Sequence, residues 1–160
     1  MSKQKGFTLI EILIYSALTT LIAAFALVSV YAMISYADRS RYLRELVENQ
    51  KMLEQKIYWV LQNNSAINTP QSGATSTVLS VNKLSYASNP VVLDTLASTT
   101  ARIKLGSAEA NMITTEFIEI QDLSFRRTDV SGQPVMRVYG RLFEPHTSST
   151  VEIMTSIPVK

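Results

Sequence analysis

The 160-residue chain contains no cysteine. A disulfide framework, a thiolate nucleophile and a cysteine metal site are therefore excluded, and an exported form must hold together by its core alone. Histidine is nearly as scarce: His146 stands alone in the turn-like stretch EPHTSS. With no second histidine at ligand spacing, it reads as a solvated turn residue. Asp94, Asp122 and Asp129 are scattered and do not form a D-x-D-x-D-G calcium loop. No GxSxG, SxxK, HExxH or phosphate-binding loop occurs. These absences predict a chain without catalysis, metal or cofactor. Helix breakers are missing too, since neither proline nor glycine occurs between Phe7 and Thr69.

Charge is sparse where it matters. The net charge is +2 and is not clustered: residues 1–37 carry two positive and one negative charge, residues 38–63 five and four, and residues 64–160 eight and eight. A neutral C-terminal region argues against an electrostatic grip on nucleic acid as the main task. From Phe7 to Ala37, 31 residues hold a single charge, Glu11. A bilayer core requires about 20 apolar residues as a helix, so this run spans a membrane with length to spare or packs among its own kind. It outlasts the roughly 7–15-residue apolar region of a signal peptide, and an acid is foreign to such a region. Lys3 and Lys5 favour a cytoplasmic N-terminus, while Arg39, Arg41 and Arg44 beyond the run weaken that assignment.

From Asp38 to Leu61 the pattern becomes amphipathic. Leu43, Leu46, Val47, Leu53, Ile57, Val60 and Leu61 recur at spacings of three and four, with Gln50 on the same stripe. The spacing predicts one helix from about Phe7 to Gln62, apolar all round in its first half and one-sided in its second, on the order of 80–85 Å long. Of Tyr58 and Trp59, one is expected in the core and the other at its border. Residues 63–100 hold 18 Ser, Thr or Asn in 38 positions and read as a loosely packed, loop-rich surface with short strands at Val78–Val81 and Val91–Leu93.

Strand patterns then dominate. They cover Arg102–Leu105, Glu116–Arg127 with a phase change near Asp122 that marks a bulge, Pro134–Phe143 and Val151–Val159. In Pro134–Phe143, Met136, Val138, Gly140 and Leu142 form one face. Turns are predicted at Thr128–Gln133 and Glu144–Ser149. An antiparallel sheet needs a cover for its apolar face, and the one-sided half-helix supplies it. The predicted fold is α+β, a meander sheet on the C-terminal half of a long helix.

A buried carboxylate at Glu11 costs roughly 2.5–3.5 kcal/mol in lipid. Cleavage after Gly6 would give Phe7 a free cationic amine one helical turn from Glu11, disfavoured by the helix dipole that favours the acid. In a bundle of staggered parallel helices, the amine of one chain could meet Glu11 of a neighbour and set the register. Equally open are neutralisation of the chain's own amine and snorkelling to the membrane surface.

The stretch KGFTLIEILI resembles the N-terminal processing motif of type IV prepilins and type II secretion pseudopilins, with Gly6, Phe7, Thr8, Leu9 and Glu11 matching. The match covers about the first 40 residues; beyond them the likeness is one of layout, a long helix under an antiparallel sheet. The resemblance implies a leader at residues 1–6, removed after Gly6 by a membrane prepilin peptidase that N-methylates Phe7, with Glu11 used in assembly. It implies a filament-core segment at 7–37, an amphipathic segment at 38–62 and a β-rich head at 63–160. The implied partners are the peptidase, other pilin subunits, an inner-membrane assembly platform and, before assembly, membrane lipid. The implied location is the cytoplasmic membrane first, then a surface or periplasm-spanning filament. The chain departs from many major pilins in having no helix-bending Pro or Gly in the apolar half and no disulfide. Its later sequence looks more like minor pilins and J- or W-type pseudopilins.

A second reading is a pilus-borne DNA- or surface-binding module. Arg137, Tyr139 and Arg141, with Phe125, Arg126 and Arg127 on the preceding strand, interleave basic and aromatic groups that could stack bases and hold phosphates. The neutral charge of the region favours instead a solvated face with cross-strand pairs to Glu152 or Glu119. A third reading is a single-pass membrane protein acting through its C-terminal domain.

Overall fold

The computed structural model describes residues 8–97, 99–130 and 132–159. The predicted leader Met1–Gly6, its cleavage site and Phe7 lie outside the described residues. One helix, α1, spans Leu9–Leu61. It is followed by nine strands: β1 (Asn64–Thr69), β2 (Thr75–Ser76), β3 (Leu79–Lys83), β4 (Val91–Leu96), β5 (Thr100–Leu105), β6 (Asn111–Met112), β7 (Glu119–Val130), β8 (Gln133–Glu144) and β9 (Ser149–Pro158). Two compact units divide the chain, Met1–Arg41 and Tyr42–Lys160.

In the first unit the apolar side chains of α1 from Leu9 to Tyr36 are exposed, and this part is long and apolar enough to cross a membrane. Its hydroxyls do not spoil that character. Thr19, Thr20 and Ser29 donate to the carbonyls of Tyr15, Ser16 and Phe25 at 2.7–2.8 Å, and Ser16 donates to Leu13 at 3.0 Å. Hydroxyls satisfied within their own helix cost little in an apolar medium.

The second unit is an α+β fold. The remainder of α1 buries Leu46, Asn49, Leu53, Ile57, Val60 and Leu61, at steps of three and four. Leu43 and Val47 are exposed and Gln50 is half-buried, so the stripe is narrower than the sequence pattern indicates. Asn49 takes the place expected for Gln50 because the sheet side offers it a partner: the Thr115 N–H donates to Asn49 Oδ1 at 2.9 Å. Asn49 Nδ2 donates in turn to the Glu45 carbonyl at 2.9 Å, and the Thr115 hydroxyl to the Glu45 carboxylate at 2.9 Å. Tyr58 and Trp59 are both exposed, at 51% and 38%, so neither is the core residue expected.

Two sheets share the core with α1. One has five strands in the order β1-β3-β4-β5-β6 and the other four in the order β2-β7-β8-β9. The five-stranded sheet overturns the reading of residues 63–100 as loosely packed loops. Leu79, Val81, Val91 and Leu93 are completely buried; Ser80 and Asn82 alternate with the first pair on β3, and Val92 and Asp94 with the second on β4. The β7-β8-β9 meander stands as expected, but it is one sheet of two. The predicted turn Thr128–Gln133 is shorter in the structure, since Thr128, Asp129 and Val130 pair with Val135, Pro134 and Gln133. Gly132 sits in that turn at φ +80°, a left-handed conformation suited to glycine. The bulge near Asp122 is present: Asp122 has φ 56° and the β7–β8 register shifts between Gln121 and Ser124. Beyond it the buried positions change phase from Ile120 to Leu123 and Phe125. Gly140 on β8 leaves room for Leu123, whose Cδ1 would lie 3.0 Å from an added Cβ.

The end of α1 is closed by side chains. The Asn64 amide donates to Leu61 O at 2.8 Å, and the half-sequestered Lys83 ammonium donates to Trp59 O at 2.5 Å and Gln62 O at 2.7 Å. These are carbonyls that a helix C-terminus leaves unpaired. The same ammonium lies 4.3 Å from the Trp59 ring centroid, and Tyr86 meets that ring edge-on at 6.0 Å. Burial pushes the Lys83 pKa below the ordinary lysine value.

Candidate functional site

Thr8 and Glu11 form a reciprocal pair at the start of α1. Thr8 precedes the first helical residue, and its hydroxyl accepts from the Glu11 N–H at 3.4 Å. Glu11 Oε2 accepts in turn from the Thr8 N–H at 3.5 Å. This is a capping box: the acid three positions into the helix reaches back to the cap residue. The sequence signal for it is T-L-I-E before an apolar run. It gives the acid a local role at the positive end of the helix dipole. Glu11 is half-exposed, and its other oxygen has no hydrogen-bond donor among the described residues. An acidic group at the head of an apolar helix therefore keeps acceptor capacity for a cation approaching from outside the chain. Gly6 and Phe7, the other members of the expected processing site, lie outside the described residues.

The basic and aromatic set does not assemble as one surface. Arg137, Tyr139 and Arg141 alternate with the buried Met136, Val138 and Leu142 and so share the outer face of β8. Arg127 does not join them. It faces Met136 across the β7–β8 ladder, which places it on the inner side, where it lies 3.6 Å from Asp129. Phe125 is completely buried opposite Val138, so it offers no stacking face. The physical reason is the bulge at Asp122, which reverses the facing of every later residue on β7. Arg141 is held at 2.8 Å by Asp122, in place of the Glu152 or Glu119 expected. Among the described residues no acid contacts Arg126 or Arg137, which are direct cross-strand partners.

His146 is exposed, and its ring stacks on Tyr42 at 4.7 Å with planes 17° apart. The β8–β9 turn beneath it is organised by Glu144, a completely buried carboxylate. Glu144 accepts from the N–H of His146 at 2.8 Å, the N–H of Thr147 at 2.6 Å and the Thr147 hydroxyl at 2.5 Å. Burial pushes its pKa up, but these hydrogen bonds outweigh burial and hold the carboxyl below the ordinary range. No cluster of three or more His, Cys, Asp or Glu side chains placed to hold a metal occurs among the described residues. No local pattern marks Glu144 as buried; an acid before proline in a turn ordinarily faces water.

Residues 1–27 match a family model described as the prokaryotic N-terminal methylation motif. No curated protein and no solved structure matches the chain. The chain thus carries the prepilin-type signature on the first half of a membrane-capable helix, and this supports a type IV pilin or pseudopilin-like precursor.

Proposed function

We propose that the chain is a non-enzymatic filament subunit, a minor pilin or pseudopilin of a type IV pilus or type II secretion-like machine. In this reading residues 1–6 are a leader, prepilin peptidase cuts after Gly6, and Phe7 becomes the N-methylated first residue. The protein waits in the cytoplasmic membrane with its N-terminus inside, then joins other pilins through the apolar face of α1 on an inner-membrane assembly platform. Glu11 meets the Phe7 amine of an adjacent subunit and fixes the axial register.

The observation that carries the reading is the methylation motif over residues 1–27 on a helix that leaves its apolar side chains from Leu9 to Tyr36 uncovered. Such a surface has two stable environments, lipid and a bundle of like helices. An acid at the head of that surface, with one oxygen unengaged, suits a charge-paired contact in a medium where an unpaired charge is costly. The test is Glu11→Ala in the native host. The variant is expected to be inserted and cut at the wild-type level but to stay in the membrane fraction. Wild-type amounts in sheared surface filaments would remove the pairing role.

The alternative of a nucleic-acid surface would rest on Arg126, Arg137, Tyr139 and Arg141, which share the outer face of the four-stranded sheet, since Arg127 and Phe125 face inward.

A further inference from the structure

Two exposed features of the unit Tyr42–Lys160 take no part in the site described above. The first is a groove of about 510 Å³ between α1 and the β5–β6 edge of the five-stranded sheet. Met52, Gln55, Lys56 and Trp59 line it from α1, and Tyr86 and Met112 from the sheet side. Met52, Trp59 and Met112 are all exposed.

This lining selects its guest. Two thioethers and two aromatic rings favour an aromatic side chain, through sulfur–aromatic contacts and ring packing. Lys56 is exposed and makes no ion pair among the described residues. No acid stands three or four positions from it on α1. The groove therefore suits an aromatic residue accompanied by an acid.

The second feature is Phe117. It lies in the segment between β6 and β7, half-exposed, while Ile118 beside it is buried. Glu116 and Glu119 flank it, and neither makes an ion pair among the described residues. The exposed Phe, Tyr and Trp residues of this unit are Tyr58, Trp59 and Phe117 among the described residues, and of these Phe117 alone stands between acids.

Both features have a definite level along α1. The bond from the Thr115 N–H to Asn49 ties the segment before Phe117 to the level of Asn49. Gln55 and Lys56, at the middle of the groove, are six and seven positions further on, about 10 Å at 1.5 Å per residue. Phe117 does not line the groove of its own chain. In a parallel copy shifted by about 10 Å toward the C-terminal end of α1, it comes level with the groove of the first.

We propose that the groove receives Phe117 of a second copy of the chain, with Lys56 facing Glu116 and Glu119 of that copy. The two surfaces are different, so after one contact each copy still offers the other surface, and the contact repeats without closing. The inference rests on the filament reading for the parallel setting of the copies. It needs neither cleavage after Gly6 nor the Glu11 contact, so its failure would leave both of those standing.

The test uses the full-length chain in detergent micelles, with p-benzoylphenylalanine in place of Phe117. This residue keeps an aromatic ring at the position and, on illumination, bonds to nearby side chains, methionine most readily. It is mixed with an equal amount of heavy-isotope-labelled wild type, and the adducts are located by mass spectrometry. Adducts are expected on the labelled chain at Met52 or Met112. Lys56→Glu in the labelled chain should lower their yield roughly five- to tenfold. Glu116→Lys with Glu119→Lys in the photoreactive chain should restore the yield against Lys56→Glu. The same photoreactive residue at position 154, on the other sheet, should give no adduct at the groove. Adducts spread over the labelled chain, or a yield indifferent to Lys56→Glu, overturn the proposal. So does the absence of any adduct between copies, the result expected if the groove serves another ligand.

Discussion

Lys83→Met tests whether the end of α1 is held by a side chain from the five-stranded sheet. Methionine keeps the length and apolar stem of lysine, so the packing under the sheet is largely retained, while the charge and both donors are lost. The substitution removes the Lys83 donor from the Gln62 and Trp59 carbonyls, leaving the Trp59 carbonyl only the long Gln62 N–H bond at 3.4 Å, and takes the cation from the Trp59 ring. Hydrogen bonds to a charged group contribute about 1.5–3 kcal/mol each. A cation over an indole adds about 0.5–2 kcal/mol. Against these stand the cost of partly dehydrating the ammonium, which the lowered pKa reflects, and the access of water to the freed carbonyls. The balance is a loss of about 2–3 kcal/mol. For a unit the size of Tyr42–Lys160 this lowers the melting temperature by roughly 8–12 °C. The assay is thermal unfolding of the full chain in detergent, followed by circular dichroism. Fluorescence gives a second readout, because Trp59 is the only tryptophan and reports the site directly. A Lys83→Met melting temperature within about 1 °C of wild type, with unchanged emission, would show that the Lys83 ammonium does not hold the end of α1.

Three further outcomes are expected. Glu144→Gln lowers the melting temperature at pH 7. Because the folded carboxyl titrates below its ordinary value of 4.5, the stability it contributes is complete above that value and is lost as pH falls through the folded pKa, so the gap to wild type closes in acid. A gap that stayed constant down to pH 3 would show that the turn bonds do not depend on the charge. Gly140→Val drives a side chain into Leu123 and costs about 1–3 kcal/mol in unfolding experiments, with Leu123→Ala expected to recover part of the loss. Asn49→Ala leaves the Thr115 N–H unsatisfied and costs about 1–3 kcal/mol, whereas Gln50→Ala, one position on, changes stability by less than about 0.5 kcal/mol.

What could be read from the sequence follows from the range of each interaction. The absence of breakers and the apolar run make α1 legible, and strict alternation makes the inner face of β8 legible from Met136 to Leu142. The bulge at Asp122 shows as a change of phase. Its consequence for Phe125 and Arg127 needs the register against β8, and that register depends on the tight turn after Val130. Asn49 is invisible locally because its partner Thr115 is 66 residues away. The five-stranded sheet is only partly legible: the short strands expected at Val78–Val81, Val91–Leu93 and Arg102–Leu105 fall on β3, β4 and β5, but Ser80 and Asn82, residues that also make loops, dilute the buried alternation of Leu79, Val81 and Lys83. Of the candidate site, Glu11 stands out by its charge. Its engagement with Thr8 is local and was open to the capping-box pattern.

If the chain is processed and assembled as proposed, mass spectrometry of the N-terminal peptide from native protein, in membrane and sheared surface fractions, finds a peptide that begins at N-methylated Phe7 in the surface fraction. A peptide that begins at Met1 and occurs only in membranes would rule out processing, and would leave Glu11 as the helix cap of a simple anchor.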